Sequence, residues 1–137
     1  MTDFLRFKMD RFSSRLKWTY HIRYLIETYN VPPGLLAELA VSKSIGVDGE
    51  WLVFVTDVYR DNSLEDLIYV EPAKPDKWRL ERGHANWLGN WHQETDDLRI
   101  WNNPMQWLSS GGVGVMPLNQ SSRNQLAMVS MDLKTVL

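Results

Sequence analysis

Apolar side chains recur at three- and four-residue steps near the start of the chain, at Leu5, Met9, Phe12 and Leu16. That spacing brings them onto one helix face and predicts a helix over 4–29, with a break near Ser13-Ser14. Trp18, Ile22 and Leu25 continue the period on a shifted stripe. Trp18, Tyr20, Ile22, Tyr24 and Ile26 also alternate with polar Thr19, His21 and Arg23, which is a strand signature. Helix is the favoured reading of 17–27, with strand left open. Pro32-Pro33-Gly34 ends the segment, and Leu35–Val41 reads as a short helix.

Beyond a turn-rich stretch from Gly46 to Glu50, the run Trp51–Val58 is β-prone and apolar on both faces. Such a run suits a central strand covered on each side. Asp61-Asn62-Ser63 predicts a turn, Leu67–Val70 a second strand, and Pro72–Lys77 a surface loop. Trp78-Arg79-Leu80 reads as a short strand or loop edge, and His84–Trp91 as a helix weakened by Gly89. Leu98–Trp101 predicts a strand. Asn103 and Pro104 are a cap and first residue for a helix through Leu108, which Gly111-Gly112 stops. Val113, Val115 and Met116 suit a buried strand. Ser121-Ser122 would cap a helix over Arg123–Met128, and 129–137 would be a last strand. The sum is an α/β or α+β fold. It has one sheet of four to five short strands, a long N-terminal helix and several short helices.

Composition narrows the class. A chain of 137 residues with 44% hydrophobic content suits one domain and one core. Within it, 1–30 reads as a basic amphipathic helix and 45–137 as the sheet-containing core. There is no cysteine, which excludes disulfides and thiolate chemistry and fits a reducing, cytoplasmic setting. The longest apolar run, Trp51–Val55, is too short to span a bilayer, so no membrane is expected.

The net charge of −2 conceals a polarity. Residues 1–25 carry Arg6, Lys8, Arg11, Arg15, Lys17 and Arg23 against Asp3 and Asp10, while 46–72 carry seven carboxylates against Arg60. The basic segment also interleaves Phe4, Phe7, Phe12, Trp18, Tyr20 and Tyr24. Cations that meet phosphate, mixed with rings that stack on bases, suit single-stranded nucleic acid. They equally describe an amphipathic helix, for which core packing is the expected role of most rings. A solvated pair of complementary charged faces explains the polarity without any ligand.

Tryptophan is the most distinctive component. Five of seven fall between Trp78 and Trp107, the others being Trp18 and Trp51. Trp51, Trp101 and Trp107 are expected inside. Trp78, after a proline loop, is the best candidate for exposure. Trp87 and Trp91 would share one helical face, and Trp78, Trp87 and Trp91 together make a candidate partner-binding surface.

Catalytic signatures are sparse. The chain has no Gly-x-x-x-x-Gly-Lys-Ser/Thr, His-Glu-x-x-His or Gly-x-Ser-x-Gly pattern. Ser109–Gly114 is glycine-rich but lacks a following lysine, and reads as a tight turn. His84 and His92 lie near Glu94, Asp96 and Asp97, too few and too loosely spaced to predict a metal site. His21 is expected to face solvent. Asp57, Asp61 and Glu65 follow the strongest strand and are the best acidic candidates for a Mg²⁺-dependent phosphoryl-transfer centre. As turn residues they would do no chemistry. No cofactor is expected.

Residues Trp78–Gly89, Leu98–Leu108 and Gly112–Leu118 resemble small uncharacterised proteins encoded near prophage and mobile-element replication genes. Some of those look like degraded toprim (topoisomerase–primase) domains. The toprim hallmark, a Glu after the first strand and an Asp-x-Asp after a later one, is not evident, and Asp57 and Glu65 do not fit that order. The resemblance implies a toprim-like core without its metal chemistry, working near DNA replication. The leading expectation is a non-enzymatic interaction domain of mobile-element type, binding a protein partner or itself as a homodimer. The alternative is a nucleic-acid-binding accessory protein that uses the basic N-terminal segment. A metal-dependent enzyme ranks third.

Overall fold

The computed structural model describes residues 4–61, 63–83, 85–89 and 99–127. Helix α1 (Phe4–Ser14) buries Leu5, Met9 and Phe12, the stripe its spacing dictates. It ends at Ser14, where the break was expected, and the Ser14 hydroxyl donates to the Arg11 carbonyl at 2.7 Å. A π-helical turn (Trp18–Ile22) then runs directly into α2 (Arg23–Tyr29). Residues 18–29 are therefore helical, which decides between the helix and strand patterns of 17–27, and the N-terminal segment is two helical pieces parted at the expected break. Asn30 closes α2 in the left-handed conformation, and α3 (Pro33–Val41) opens on Pro33.

Strands β1 (Ile45–Asp48), β2 (Trp51–Val55), β3 (Leu67–Glu71) and β4 (Lys74–Leu80) form an antiparallel sheet in chain order. The fold is thus α+β. Two-residue turns join β1 to β2 through Gly49-Glu50, and β3 to β4 through Pro72-Ala73. Two expectations are corrected here. Ile45–Asp48 is a strand, because Ile45, Gly46 and Val47 are buried against α1 and α3. Lys74–Lys77 belongs to β4 and is not a surface loop. Pro75 is tolerated because β4 is the outermost strand, where no neighbour needs its missing N–H.

The two-sided apolar run at β2 has the meaning its pattern predicts. Leu52 and Phe54 face one layer, with Ile68 and Val70 of β3, Ile22 and Leu25 before and within α2, and Leu36 of α3. Val53 and Val55 face the other, with Tyr69 and Leu67 of β3 and the Leu5-Met9-Phe12 stripe of α1. Helices therefore cover both faces of the sheet. Gly46 sets how close α1 can come: a Cβ there would lie 2.3 Å from the carbonyl carbon of Phe12.

A two-stranded sheet pairs β5 (Trp87–Leu88) with β6 (Met116–Pro117). Trp87 is thus in a strand, not in the helix expected over 84–91. Gly89 explains why: its φ is 96°, and a Cβ would meet the Gly114 carbonyl oxygen at 2.1 Å. Between these strands lies α4 (Pro104–Ser109). The Asn103 side chain caps it, accepting from the Gln106 N–H at 3.0 Å as the sequence predicts. Residues 120–127 form a last helix, α5. Its cap is Asn119, whose side-chain oxygen accepts from the Ser122 N–H at 2.9 Å, and not Ser121 or Ser122. Of the strand expected over 98–101, Ile100 makes a single bridge to Val115. The strand expected over 129–137 lies outside the described residues, as do His84, Trp91, His92, Glu94, Asp96 and Asp97. Among the described residues no helix is long and apolar enough to cross a membrane.

Candidate functional site

The tryptophans are distributed differently from expectation. Trp78 is not exposed: it is half-buried and packed against the core cluster that includes Leu52 and Phe54. Trp101 and Trp107 are also half-buried against that cluster. Trp107 stacks on Phe54 at 6.0 Å between centroids, with planes 5° apart. The indole N–H groups of Trp101 and Trp107 donate to the Val113 and Gly114 carbonyls at 2.7 and 3.3 Å. These bonds give the glycine-rich 109–114 loop a structural job as the platform that holds both rings. Trp51 is not fully inside either. It is half-buried, edge-on to Tyr69, with Lys77 Nζ 5.3 Å and the Arg79 guanidinium 5.4 Å from its ring centre. Trp87 is half-buried too.

The exposed rings lie in the N-terminal segment. Of the six aromatic residues in 4–24, only Phe12 is in the core. Phe4, Phe7, Trp18, Tyr20 and Tyr24 are between 41% and 70% exposed, which overturns the expectation that most of them pack inside. On α1 the cause is simple periodicity, since Phe4 and Phe7 lie off the Leu5-Met9-Phe12 stripe. Beyond α1 the cause is the π turn. The Lys17 carbonyl accepts from the N–H groups of Tyr20, His21 and Ile22, the last being the i to i+5 bond. The wide turn delivers Ile22 and Leu25 to the core and leaves Trp18, Tyr20 and Tyr24 outside.

His21 secures that turn. Its Nδ1 accepts from the Lys17 backbone N–H at 2.8 Å, so the neutral ring carries its proton on Nε2. Burial first, and then the Lys17 charge, hold its pKa below the usual histidine value. His21 is half-buried, not fully in solvent, and meets Tyr20 edge-on at 4.9 Å.

Tyr20, His21 and Tyr24 form one wall of a cleft of about 430 Å³. The opposite wall is made by the two hairpin turns, with Gly49 and Glu50 on one and Pro72 and Ala73 on the other; Leu25, Val47 and Leu52 also line it. The Tyr29 hydroxyl donates to the Pro72 carbonyl and ties α2 to the second turn. Glu50 lines the cleft and has no hydrogen-bond or ion-pair partner among the described residues. A second, shallower cavity of about 480 Å³ runs between Tyr29, Arg99, Trp101 and Gln106.

The six basic residues differ in what they are free to do. Lys8 pairs with Glu81, which also meets Arg79 at 3.8 Å and so clamps α1 to β4. The Tyr69 hydroxyl joins this cluster, and burial together with the Glu81 charge raises its pKa. Arg15 lies 3.7 Å from Asp48, and Arg23 pairs with Glu27 at 2.7 Å. Arg6 reaches the Ser42 carbonyl at 3.4 Å. Arg11 and Lys17 are exposed, with no side-chain partner among the described residues. The cations available to a ligand therefore lie on the last turn of α1 and just before the π turn.

The acidic candidates occupy the loop between β2 and β3. Asp57 Oδ1 accepts from the Val58 N–H, and Asp61 Oδ1 from the Ser63 N–H and hydroxyl, the latter lowering the Asp61 pKa. Glu65 accepts from the Thr56 hydroxyl at 2.9 Å; burial, and then the charges of Asp57 and Asp66, raise its pKa. Each carboxylate is engaged in shaping the loop. Among the described residues no group of three or more potential ligands is placed to hold a metal ion.

Reading the sequence missed Glu50 and the two turns as site residues. The available signal was the dual helix-and-strand pattern of 18–26, which marks rings that do not follow one helical stripe. Compared with protein-family models, curated proteins and solved structures, the chain matches none of them.

Proposed function

We propose that this chain is a binding domain that holds single-stranded nucleic acid on the surface of residues 11–24. The observation behind this reading is the set of exposed rings Trp18, Tyr20 and Tyr24 on and after the π turn, preceded in the chain by Arg11 and Lys17, which have no side-chain partner among the described residues. Every base offers a face to an aromatic ring, and each such stack contributes about 1–3 kcal/mol. Two free cations are few, so stacking carries more of the affinity than phosphate contacts do. The reading fits the resemblance of 78–118 to proteins encoded beside replication genes, and a cytoplasmic setting goes with it.

The test is anisotropy of a labelled 12-mer oligothymidylate titrated with protein across salt concentrations. Binding should weaken only modestly as salt rises, with a log–log slope of about −1.4 for two contacts. Replacing Trp18 and Tyr20 together by Ala should abolish it. Absence of binding at low salt removes the reading.

A second reading, the protein-contact domain with a homodimer, is favoured by one observation. Phe4 and Phe7 are both 55% exposed and one turn apart on α1. Under it, Phe4 and Phe7 take the place of Trp78, Trp87 and Trp91 as the contact surface. Light scattering across a hundredfold concentration range separates the two, since only this reading requires a Phe7→Glu-sensitive dimer.

A further inference from the structure

We infer that the cleft between the π turn and the two hairpin turns takes one unstacked guanine base. This rests on the proposed single-strand reading and deepens it from a surface to a seat. Four observations converge. The cleft, at about 430 Å³, falls within the 300–1,000 Å³ typical of small-molecule sites. Tyr20 and Tyr24 stand one turn apart along its wall, which suits a planar ring laid between or against them. His21 is fixed by its Nδ1 bond to Lys17, so its remaining nitrogen, Nε2, is a committed donor. Glu50 supplies two carboxylate acceptors on the facing turn, and nothing among the described residues uses them.

A cleft offering one donor on one wall and a pair of acceptors on the facing turn selects among bases by chemistry. Guanine presents, side by side on its Watson–Crick edge, an acceptor at O6 and donors at N1 and N2. The carboxylate of Glu50 matches the two donors, and His21 Nε2–H matches O6. Cytosine and adenine each bring a single exocyclic amine to the carboxylate, and thymine brings one ring N–H between two carbonyls. The adjacent charges suit a strand and not a bare base. Arg15 stands at Asp48, next in chain to the Gly49-Glu50 turn, and Lys17 precedes the π turn. In the bound strand Lys17, which has no side-chain partner among the described residues, would meet a phosphate beside the seated base. Burial of Glu50 in that complex without its guanine partner would leave a desolvated carboxylate, so the wrong base is actively disfavoured.

The experiment compares wild type and Glu50→Gln, a change at an exposed turn residue that removes no internal bond. Labelled probes are a 12-mer oligothymidylate, the same strand with one central dG, the same strand with one central dC, and guanosine monophosphate alone. The dG strand should bind wild type about tenfold more tightly than the other two strands, in line with a good bidentate contact. Glu50→Gln should erase that preference, with all three strands bound alike and none more weakly than wild type binds oligothymidylate, since the change removes a negative charge near the strand. Equal affinity of wild type for all three strands overturns the guanine seat and leaves the single-strand reading standing. Binding of guanosine monophosphate, lost in Glu50→Gln, without binding of any strand keeps the seat and removes the strand. A dG preference that survives Glu50→Gln overturns the role assigned to the cleft. Binding of no probe overturns both, as does saturation by tetramethylammonium in place of every nucleotide, which would make the cleft a cation site.

Discussion

His21 and Lys17 hold each other across the π turn: the imidazole Nδ1 accepts the Lys17 backbone N–H at 2.8 Å, four residues back. The bond needs a neutral ring. Burial and the Lys17 charge lower the folded-state pKa below 6.5, so the unfolded chain takes up its proton first as pH falls. The stabilisation from this group is therefore complete above about pH 6.5. It is lost as pH falls from there through the lower folded value. Urea midpoints measured from pH 8 to pH 5 should show this step, and His21→Gln should flatten it. An unchanged step in the variant would place the titration elsewhere.

Glu65 has the opposite sign. Burial and its neighbours Asp57 and Asp66 raise its folded pKa, so the ionised side chain opposes folding once pH rises through the folded value. Glu65→Gln keeps an acceptor for the Thr56 hydroxyl and removes the charge. The variant should melt above wild type at pH 7, and the gain should vanish below about pH 4.3, where both states of wild type are protonated. Millimolar Mg²⁺ should leave the wild-type melting temperature unmoved. A clear rise would revive Asp57, Asp61 and Glu65 as a metal centre.

The two classes of tryptophan should separate on stability. Trp107→Ala removes a ring stacked on Phe54 and an indole bond to Gly114, and should cost about 3 kcal/mol. Trp18→Ala removes an exposed ring and should stay within about 0.5 kcal/mol of wild type. Urea denaturation measures both. A Trp18 variant that falls as far as the Trp107 variant would mean that Trp18 is structural.

Gly46→Ala tests the seating of α1. The added methyl would meet backbone atoms of Phe12 and Ser13, neither of which can rotate away. A loss of about 3 kcal/mol is expected, with Tyr69 losing the edge-on contact it makes with Phe12 at 6.1 Å. Near-ultraviolet dichroism would report that change, and a variant as stable as wild type would show that the contact is looser than described.

Much of this fold was legible because its signals are local. The Leu5-Met9-Phe12 stripe, the two-sided apolar run at Trp51–Val55 and the Asn103-Pro104 helix start each depend on neighbours in sequence. What went unread depends on distant partners. Ile45–Asp48 is a strand because α1 and α3 cover it, and Trp87 is extended because Gly89 lies against Gly114. The site was least legible of all. Tyr20 and Tyr24 reach it through a π turn, which follows neither the helical nor the strand period. Glu50 reaches it from a hairpin whose partner walls are formed by α2 and the β3–β4 turn.

The outer strand of the main sheet has a consequence for assembly. Along β4, Pro75 offers no N–H to an incoming strand, and Lys74, Lys77 and Arg79 bring like charges that would oppose their own copies. Two molecules are thereby discouraged from zipping into a continuous sheet or a fibril at that margin.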